Sequence, residues 1–349
     1  MYNSRHNNSK IKIVSVSTAV PEYMYSQSEI ADILNYSGRG KEIFLNSGVS
    51  QRYLFLEKDK AHNNESPNEL IRRYEQGAKE LGQKAIYNLL KLKSLNPTDI
   101  DFLITTSCTG YLCPSLSFRY IKELGMKESI KAVDLQGMGC GAALPAINQA
   151  YNYIISNPKH RAIVLSVEIC SASHYIDEDM ETLVANAIFS DGASAMLLGN
   201  SDSKYPYILD FDSCLNPENI DKLGFSMENG KLRIILSKHI KEMICPLVKT
   251  IVGNILKRNN LNQNDVKYWI IHPGGKSIID GLQEMFSLTN QQLIYSRSIL
   301  RNYGNMSSPS IMFVLNEMMQ SENPNRDDIG IMVSMGPGLS AYTILLKWS

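Results

Sequence analysis

Short, mainly apolar runs separated by longer stretches of helical periodicity constrain this chain more than any other feature. Residues 102–107, 132–136, 162–169, 268–271 and 330–334 are rich in Val, Ile and Leu and suit strands buried in a sheet. Between them, residues 143–155 and 240–256 repeat apolar side chains at helical spacing. Ser66-Pro67-Asn68-Glu69 has the ingredients of a capping box with proline at the first helical position. Leu70, Tyr74, Ala78, Leu81, Ala85 and Leu89 then continue as one buried face of a long helix. After the Asn96-Pro97 break and the strand at 102–107, a further helix is predicted over 115–124. This alternation predicts an α/β fold.

A chain of 349 residues can hold one large domain or two moderate ones. No low-complexity linker divides it; the polar stretch 58–67 reads as a surface loop, and 200–206 could join two halves of one compact body. There is a short internal echo. Asp191-Gly192-Ala193-Ser194-Ala195 before Met196-Leu197-Leu198 resembles Pro337-Gly338-Leu339-Ser340-Ala341 before a second apolar run, each reading as a glycine turn entering a strand. Chance or a duplicated α/β unit would both give such a match.

Charge narrows the function classes. Thirty-five basic residues balance thirty-five acidic ones, so no general attraction to nucleic acid or anionic membrane follows, and a small-molecule substrate is expected. The six cysteines, Cys108, Cys113, Cys140, Cys170, Cys214 and Cys245, lie far apart without CxxC pairs, which argues against a disulfide scaffold and a zinc site. The polar N-terminus MYNSRHNNSK is unlike a signal peptide, and no segment reads as a transmembrane span. A cytoplasmic protein with free thiols is the expectation.

One of those thiols stands out. Gln136-Gly137-Met138-Gly139-Cys140-Gly141-Ala142-Ala143 sets a cysteine between a predicted strand and a predicted helix, where backbone N–H groups at a helix start favour a thiolate. Cys140 could equally be a small buried apolar residue. His272 ends the apolar run Tyr268-Trp269-Ile270-Ile271 and precedes Pro273-Gly274-Gly275, at the strand end where α/β folds assemble sites. Asn305, in Tyr303-Gly304-Asn305-Met306-Ser307-Ser308, could merely cap the helical pattern at 311–319. Together, a thiol, an imidazole and an amide form one consistent set for acyl transfer.

At these residues the chain resembles the type III polyketide synthases, the group that includes chalcone synthase. The resemblance rests on GMGCGAALP, WIIHPGGKSIID, YGNMSSPSIMFVLNEM, the terminal MGPGLSAYTILL and VEICSASHYIDEDMETLVANAIFSDGASAMLLG, in this order, from about Ile11 onward. It implies a thiolase fold, two similar βαβαβ-type halves (1–203 with the cysteine, 204–349 with the histidine and asparagine) forming a five-layered αβαβα body, and a homodimer. It also implies catalytic roles for Cys140, His272 and Asn305. Cys140 holds an acyl group from an acyl-CoA starter, His272 pairs with the thiolate, and His272 with Asn305 bind malonyl-CoA as it loses carbon dioxide. No metal or redox cofactor is implied, only coenzyme A thioesters as substrates.

The resemblance further assigns Arg52 to coenzyme A phosphates and Gly274, Gly275 and Ser277 to the pantetheine arm. Cys108 is placed in the substrate cavity, Cys113 at the position that reaches across a dimer, and Met335 in the loop shaping the cavity floor. His174 and Lys238 fall where chalcone synthase has two gating phenylalanines, implying a polar gate. SCTGYLCPS and EICSASHYIDED look closer to bacterial members, many of which use fatty acyl starters to make pyrones, resorcinols or phloroglucinols. Three alternatives stay open: a single-step ketosynthase or hydroxymethylglutaryl-CoA-synthase-like enzyme, a cysteine hydrolase, and a catalytically silent partner protein.

Overall fold

The computed structural model describes residues 11–57, 62, 64–201 and 203–349. The polar N-terminus, residues 58–61 and 63 of the expected loop, and residue 202 lie outside the described residues. In the first half of the chain the order is β1 (Lys12–Ala19), β2 (Met24–Ser26), α1 (Gln27–Ile33), α2 (Gly38–Asn46), β3 (Gln51–Tyr53), α3 (Pro67–Lys93), β4 (Phe102–Ser107), α4 (Leu116–Leu124), β5 (Lys131–Gln136), α5 (Ala143–Ser156), β6 (Ala162–Ile169), α6 (Met180–Ile188) and β7 (Asp191–Gly199). The second half follows as β8 (Tyr207–Leu215), β9 (Leu223–Glu228), β10 (Lys231–Leu236), α7 (Ile240–Arg258), β11 (Val266–Ile271), α8 (Lys276–Phe286), α9 (Ile294–Tyr303), α10 (Ser310–Ser321), β12 (Ile329–Gly336) and β13 (Ser340–Lys347).

Local chemistry explains where these elements start. The expected capping box forms at α3: the Glu69 N–H donates to Ser66 Oγ (3.3 Å) and the Ser66 N–H donates to Glu69 Oε2 (2.8 Å). Leu70, Tyr74, Ala78, Leu81, Ala85 and Leu89 are all buried on its inner face. By contrast, α10 begins at Ser310 with Pro309 as its N-cap, so Asn305 lies upstream of the helix and does not cap it.

The large sheet runs β11-β12-β13-β8-β1-β7-β6-β4-β5. On one side β1-β7-β6-β4 pair antiparallel, antiparallel, parallel; on the other β8-β13-β12-β11 repeat that sequence. The two arms meet through a single pairing, Lys12 with Tyr207. The echoed segments therefore lead into equivalent strands, β7 and β13. Gly338 does make a turn, with φ +69°, whereas Gly192 already lies inside β7.

Side-chain alternation makes the layers. In β6, Ile163 and Leu165 pack outward against Tyr74, Ala78 and Leu81 of α3, while Ala162 and Val164 face inward toward α5 and α10. Trp269 and Ile271 of β11 likewise face α7 and α8, while Tyr268 and Ile270 face the central helices. The result is the expected αβαβα body. The β9–β10 hairpin forms a separate antiparallel ribbon that the apolar pattern did not reveal. Among the described residues, no helix is long and apolar enough to cross a membrane.

Candidate active site

Cys140 sits in the tight turn Gly139–Gly141 between β5 and α5. Gly139 has φ +47°, and a Cβ there would lie 2.6 Å from the Pro337 ring. A Cβ on Gly141 would lie 2.8 Å from the Tyr342 ring. The small residues around the cysteine thus let the first half dock closely on the β12–β13 turn of the second.

His272 follows β11, and its backbone N–H donates to Val333 O (2.9 Å). Its side chain is fully buried, and neither ring nitrogen has a hydrogen-bonding partner among the described residues. Gly274 lies against the ring: a Cβ on it would be 3.6 Å from His272 Nε2. Asn305 joins the set from the other side. Its backbone N–H donates to Ile188 O (2.8 Å), and its side-chain Nδ2 donates to Gly274 O (3.2 Å). The Ser307 N–H donates to Asn305 Oδ1 (2.8 Å), which fixes the orientation of the amide. Cys140 Sγ lies 4.0 Å from both Oδ1 and Nδ2 of Asn305. Residues 140, 272 and 305, remote in sequence, thus converge around Gly274 and the sulfur.

Burial dominates the electrostatics. It pushes the Cys140 thiol up to about 11, with Ser307, Asn305 and the local backbone acting against it. Burial alone pulls His272 down to about 3. The expectation that helix-start N–H groups lower the thiol is therefore outweighed by desolvation, and a lone ion is disfavoured at either residue. Proton transfer from Cys140 to His272 would create both charges together, so that their attraction would oppose the desolvation that each resists alone.

Below the triad lies an acid the sequence reading passed over. Glu168, fully buried, accepts from the N–H groups of Cys108 (2.9 Å) and Thr109 (3.1 Å), from Thr109 Oγ1 (2.9 Å) and from Ser308 Oγ (3.1 Å). It ties the end of β4 to the segment that carries Asn305.

Two spaces flank α6. A cavity of about 50 Å³ is lined by Cys140, Cys108, His174, Phe189, Phe225 and Ile234, among others. An outer cleft of about 570 Å³ is lined by Gly274, Gly275, Ser277, Lys238, Met180 and Val184, among others. Thr182, Ala185 and Asn186 of α6 face the cavity, while Met180, Glu181 and Val184 face the cleft.

Several expectations need correction. Arg52 is not at the surface: it is fully buried, donating from Nη1 to the carbonyls of Asn186 (2.7 Å) and Phe189 (2.5 Å) and from Nε to Gln27 Oε1 (2.9 Å). It cannot reach a phosphate in the outer cleft without unfolding this packing. Lys238 lies past the end of β10 and lines the outer cleft but not the cavity, whereas Ile234 of β10 lines the cavity. Phe189, bridged to Asn305 through the backbone, puts an aromatic side chain on the cavity wall. Met335 alternates with Ile331 and Val333 toward the outer core, and Pro337 lines the cavity in its place. Cys113 needs no such correction: it is exposed and lies outside its own chain's cavity, which leaves it free to face a partner subunit. Cys108 and His174 do line the cavity, and Gly274, Gly275 and Ser277 share the outer cleft. Phe189, Phe225, Ile234 and Thr182 were missed, because no local motif marks a cavity wall.

The profile of the FAE1/type III polyketide synthase-like family matches residues 12–209, and that of the chalcone and stilbene synthase C-terminal domain matches residues 215–348. The chain belongs to the type III polyketide synthases. It is 32% identical over 350 residues to 3,5-dihydroxyphenylacetyl-CoA synthase of Streptomyces toyocaensis, covering 97% of this chain and 90% of that relative. It is 28% identical to 1,3,6,8-tetrahydroxynaphthalene synthase of Streptomyces peucetius subsp. caesius, covering 96% and 93%. PKS-I from the brown alga Ectocarpus siliculosus superposes with TM-score 0.89 at 26% identity, covering 97% of this chain and 98% of that one. As a type III polyketide synthase, the protein is an acyltransferase of the chalcone synthase-like group and needs no cofactor beyond its coenzyme A thioester substrates.

Proposed function

We propose that this synthase loads an acyl starter onto Cys140 and extends it repeatedly with malonyl-CoA before ring closure to a pyrone, resorcinol or phloroglucinol type product. His272 takes the Cys140 proton as the sulfur adds to the starter thioester, and coenzyme A leaves with a proton returned by the imidazolium. Malonyl-CoA then binds with its thioester oxygen toward the His272 and Asn305 donors. Cleavage of its carboxylate C–C bond releases carbon dioxide, and the electron pair enters an enolate whose oxygen they hold. The enolate carbon attacks the acyl–Cys140 carbonyl, the new C–C bond forms, and the Cys140 thiolate leaves. The observation that carries this reading is the Asn305 amide: Ser307 and Gly274 orient it, and its Nδ2 also reaches toward the Cys140 sulfur, 4.0 Å away.

Coenzyme A would lie in the outer cleft, with the pantetheine arm along Gly274, Gly275 and Ser277 and Lys238 near the phosphates. Gly275, at φ +156°, permits a close backbone approach there. We assign the chain to two thiolase-like halves, 1–203 and 204–349, and to a cytoplasmic homodimer. The unpaired edge of β5, with Val133 39% exposed, and the exposed rings of Tyr111 and Phe118 support a partner subunit on that side. Cys113 would then face the partner's cavity.

The test is incubation with malonyl-CoA and a starter panel from acetyl- to long-chain acyl-CoA plus coumaroyl-CoA, read by mass spectrometry beside Cys140→Ala. Products with two or more malonyl-derived units, absent from the variant, support the assignment. Free acids alone point to a hydrolase, single-extension products to a one-step condensing enzyme, and no product to a silent partner.

A further inference from the structure

Two buried polar side chains in the Cys140 cavity have nothing to bind. His174 is 5% exposed and Thr182 1%, and both line the cavity. Neither ring nitrogen of His174 nor Thr182 Oγ1 has a hydrogen-bonding partner among the described residues. Buried donors and acceptors are normally paired, because an orphaned one forfeits its hydration without compensation. Much of the surrounding wall is apolar, with Phe189, Leu223, Phe225, Ile234 and Pro337. Ser173, Asn186 and Ser307 also line the chamber, but His174 and Thr182 are the two lining side chains whose buried polar atoms have no partner among the described residues, and the Cys140 sulfur opens onto the same chamber.

The charge state narrows the ligand. Burial holds the His174 imidazole well below its ordinary value, and Arg73, Arg52 and His62 push in the same direction. The ring stays neutral, with one nitrogen donating and the other accepting. The Thr182 hydroxyl can also do either. Such a pair suits ketone and enol oxygens, which accept and donate in turn, and offers no fixed charge for a carboxylate. A plain alkyl chain would leave both groups unsatisfied.

We propose that His174 and Thr182 form a specificity subsite for β-keto or enol oxygens of the growing chain, so that the synthase extends oxygenated acyl groups in preference to alkyl groups of equal length. This rests on the polyketide reading above and replaces a fatty acyl starter with an oxygenated one as the favoured substrate.

The experiment compares acetoacetyl-CoA with butyryl-CoA, which differ only in the 3-oxo group, as starters for extension by isotope-labelled malonyl-CoA. The proteins are the full-length wild type, His174→Leu, Thr182→Val and Thr182→Ser. The wild type should favour acetoacetyl-CoA in kcat/KM about tenfold, the effect of one good hydrogen bond. His174→Leu and Thr182→Val should bring the ratio toward one, and Thr182→Ser should keep it. Thermal midpoints should stay the same or rise, since no protein partner is lost. A structural role would instead lower both starters together along with the midpoint. If His174→Leu fails to fold, Thr182→Val decides alone. Multiple extension with an unchanged ratio in the variants, or no wild-type preference, overturns this inference alone. A wild type that makes no multiply extended product on any starter overturns the polyketide reading and this inference with it.

Discussion

Replacing His272 with alanine isolates what burial does to the Cys140 thiol. With no imidazole to take the proton, the thiol should titrate near the value of about 11 that burial gives it. At pH 7 roughly one molecule in 10⁴ then carries a thiolate, and alkylation by iodoacetamide should rise about tenfold for each pH unit from 6 to 9. In the wild type, proton transfer to His272 should raise the thiolate fraction above what burial alone allows, in the direction seen for cysteines paired with histidine. Each unit by which the pairing lowers the thiol raises the thiolate fraction at pH 7 about tenfold, while the weaker intrinsic nucleophilicity of a less basic sulfur takes back a factor of about three. The net expectation is wild-type alkylation about threefold faster than His272→Ala at pH 7 for each unit of lowering, with a shallower rise with pH than in the variant. Peptide mapping must read Cys140 itself, because Cys113 is exposed and will also react. If both proteins alkylate at the same rate and both rise tenfold per pH unit, His272 does not activate this cysteine and the proposed pairing is wrong.

Asn305→Ala should lower malonyl-CoA decarboxylation by roughly 10²- to 10³-fold while leaving Cys140 alkylation within a few-fold, a split that carbon dioxide release and peptide mapping measure together. Gly304→Ala places a Cβ 2.8 Å from Ile188 O and 2.9 Å from the Arg52 side chain at φ +73°. It should cost about 3 kcal/mol in urea denaturation and slow decarboxylation at least about tenfold, because the Asn305 N–H is held by that same carbonyl. Arg52→Met strips two backbone carbonyls and Gln27 of their donor and should destabilise by about 3 kcal/mol, with KM for malonyl-CoA within about threefold. A large rise in KM at unchanged stability would instead return Arg52 to a phosphate-binding role. Lys238→Glu should raise KM for malonyl-CoA by about three- to tenfold at low salt, with the effect shrinking as salt increases.

Much of the framework was legible because local signals and burial agreed. The capping box at Ser66 starts α3, and the apolar runs became β4, β6, β11 and β12 within a few residues of their expected bounds. Cys140, His272 and Asn305 could be singled out as one candidate set because each sits close to glycine at the end of an element, and the structure brings the three together around Gly274. The rest depends on packing over long separations. Nothing near Arg52 signals that its guanidinium is buried against carbonyls of residues 186 and 189. Met335 reads as a loop residue until β12 extends to Gly336 and strand alternation turns it outward. The cavity wall escaped for the same reason: Thr182 and Phe189 face it only because α6 stands between two chambers, and Ile234 only because the β9–β10 hairpin folds over it.

The central claim is that one cysteine carries the chain through successive extensions. The most direct measurement is mass spectrometry of the Cys140 peptide, trapped by rapid acid quench after mixing the enzyme with starter acyl-CoA and isotope-labelled malonyl-CoA. The account predicts the starter acyl group on Cys140 first, followed by species on the same residue heavier by one and then two labelled two-carbon units, with none of them in Cys140→Ala. A Cys140 peptide that never carries an acyl group while labelled product accumulates would contradict it.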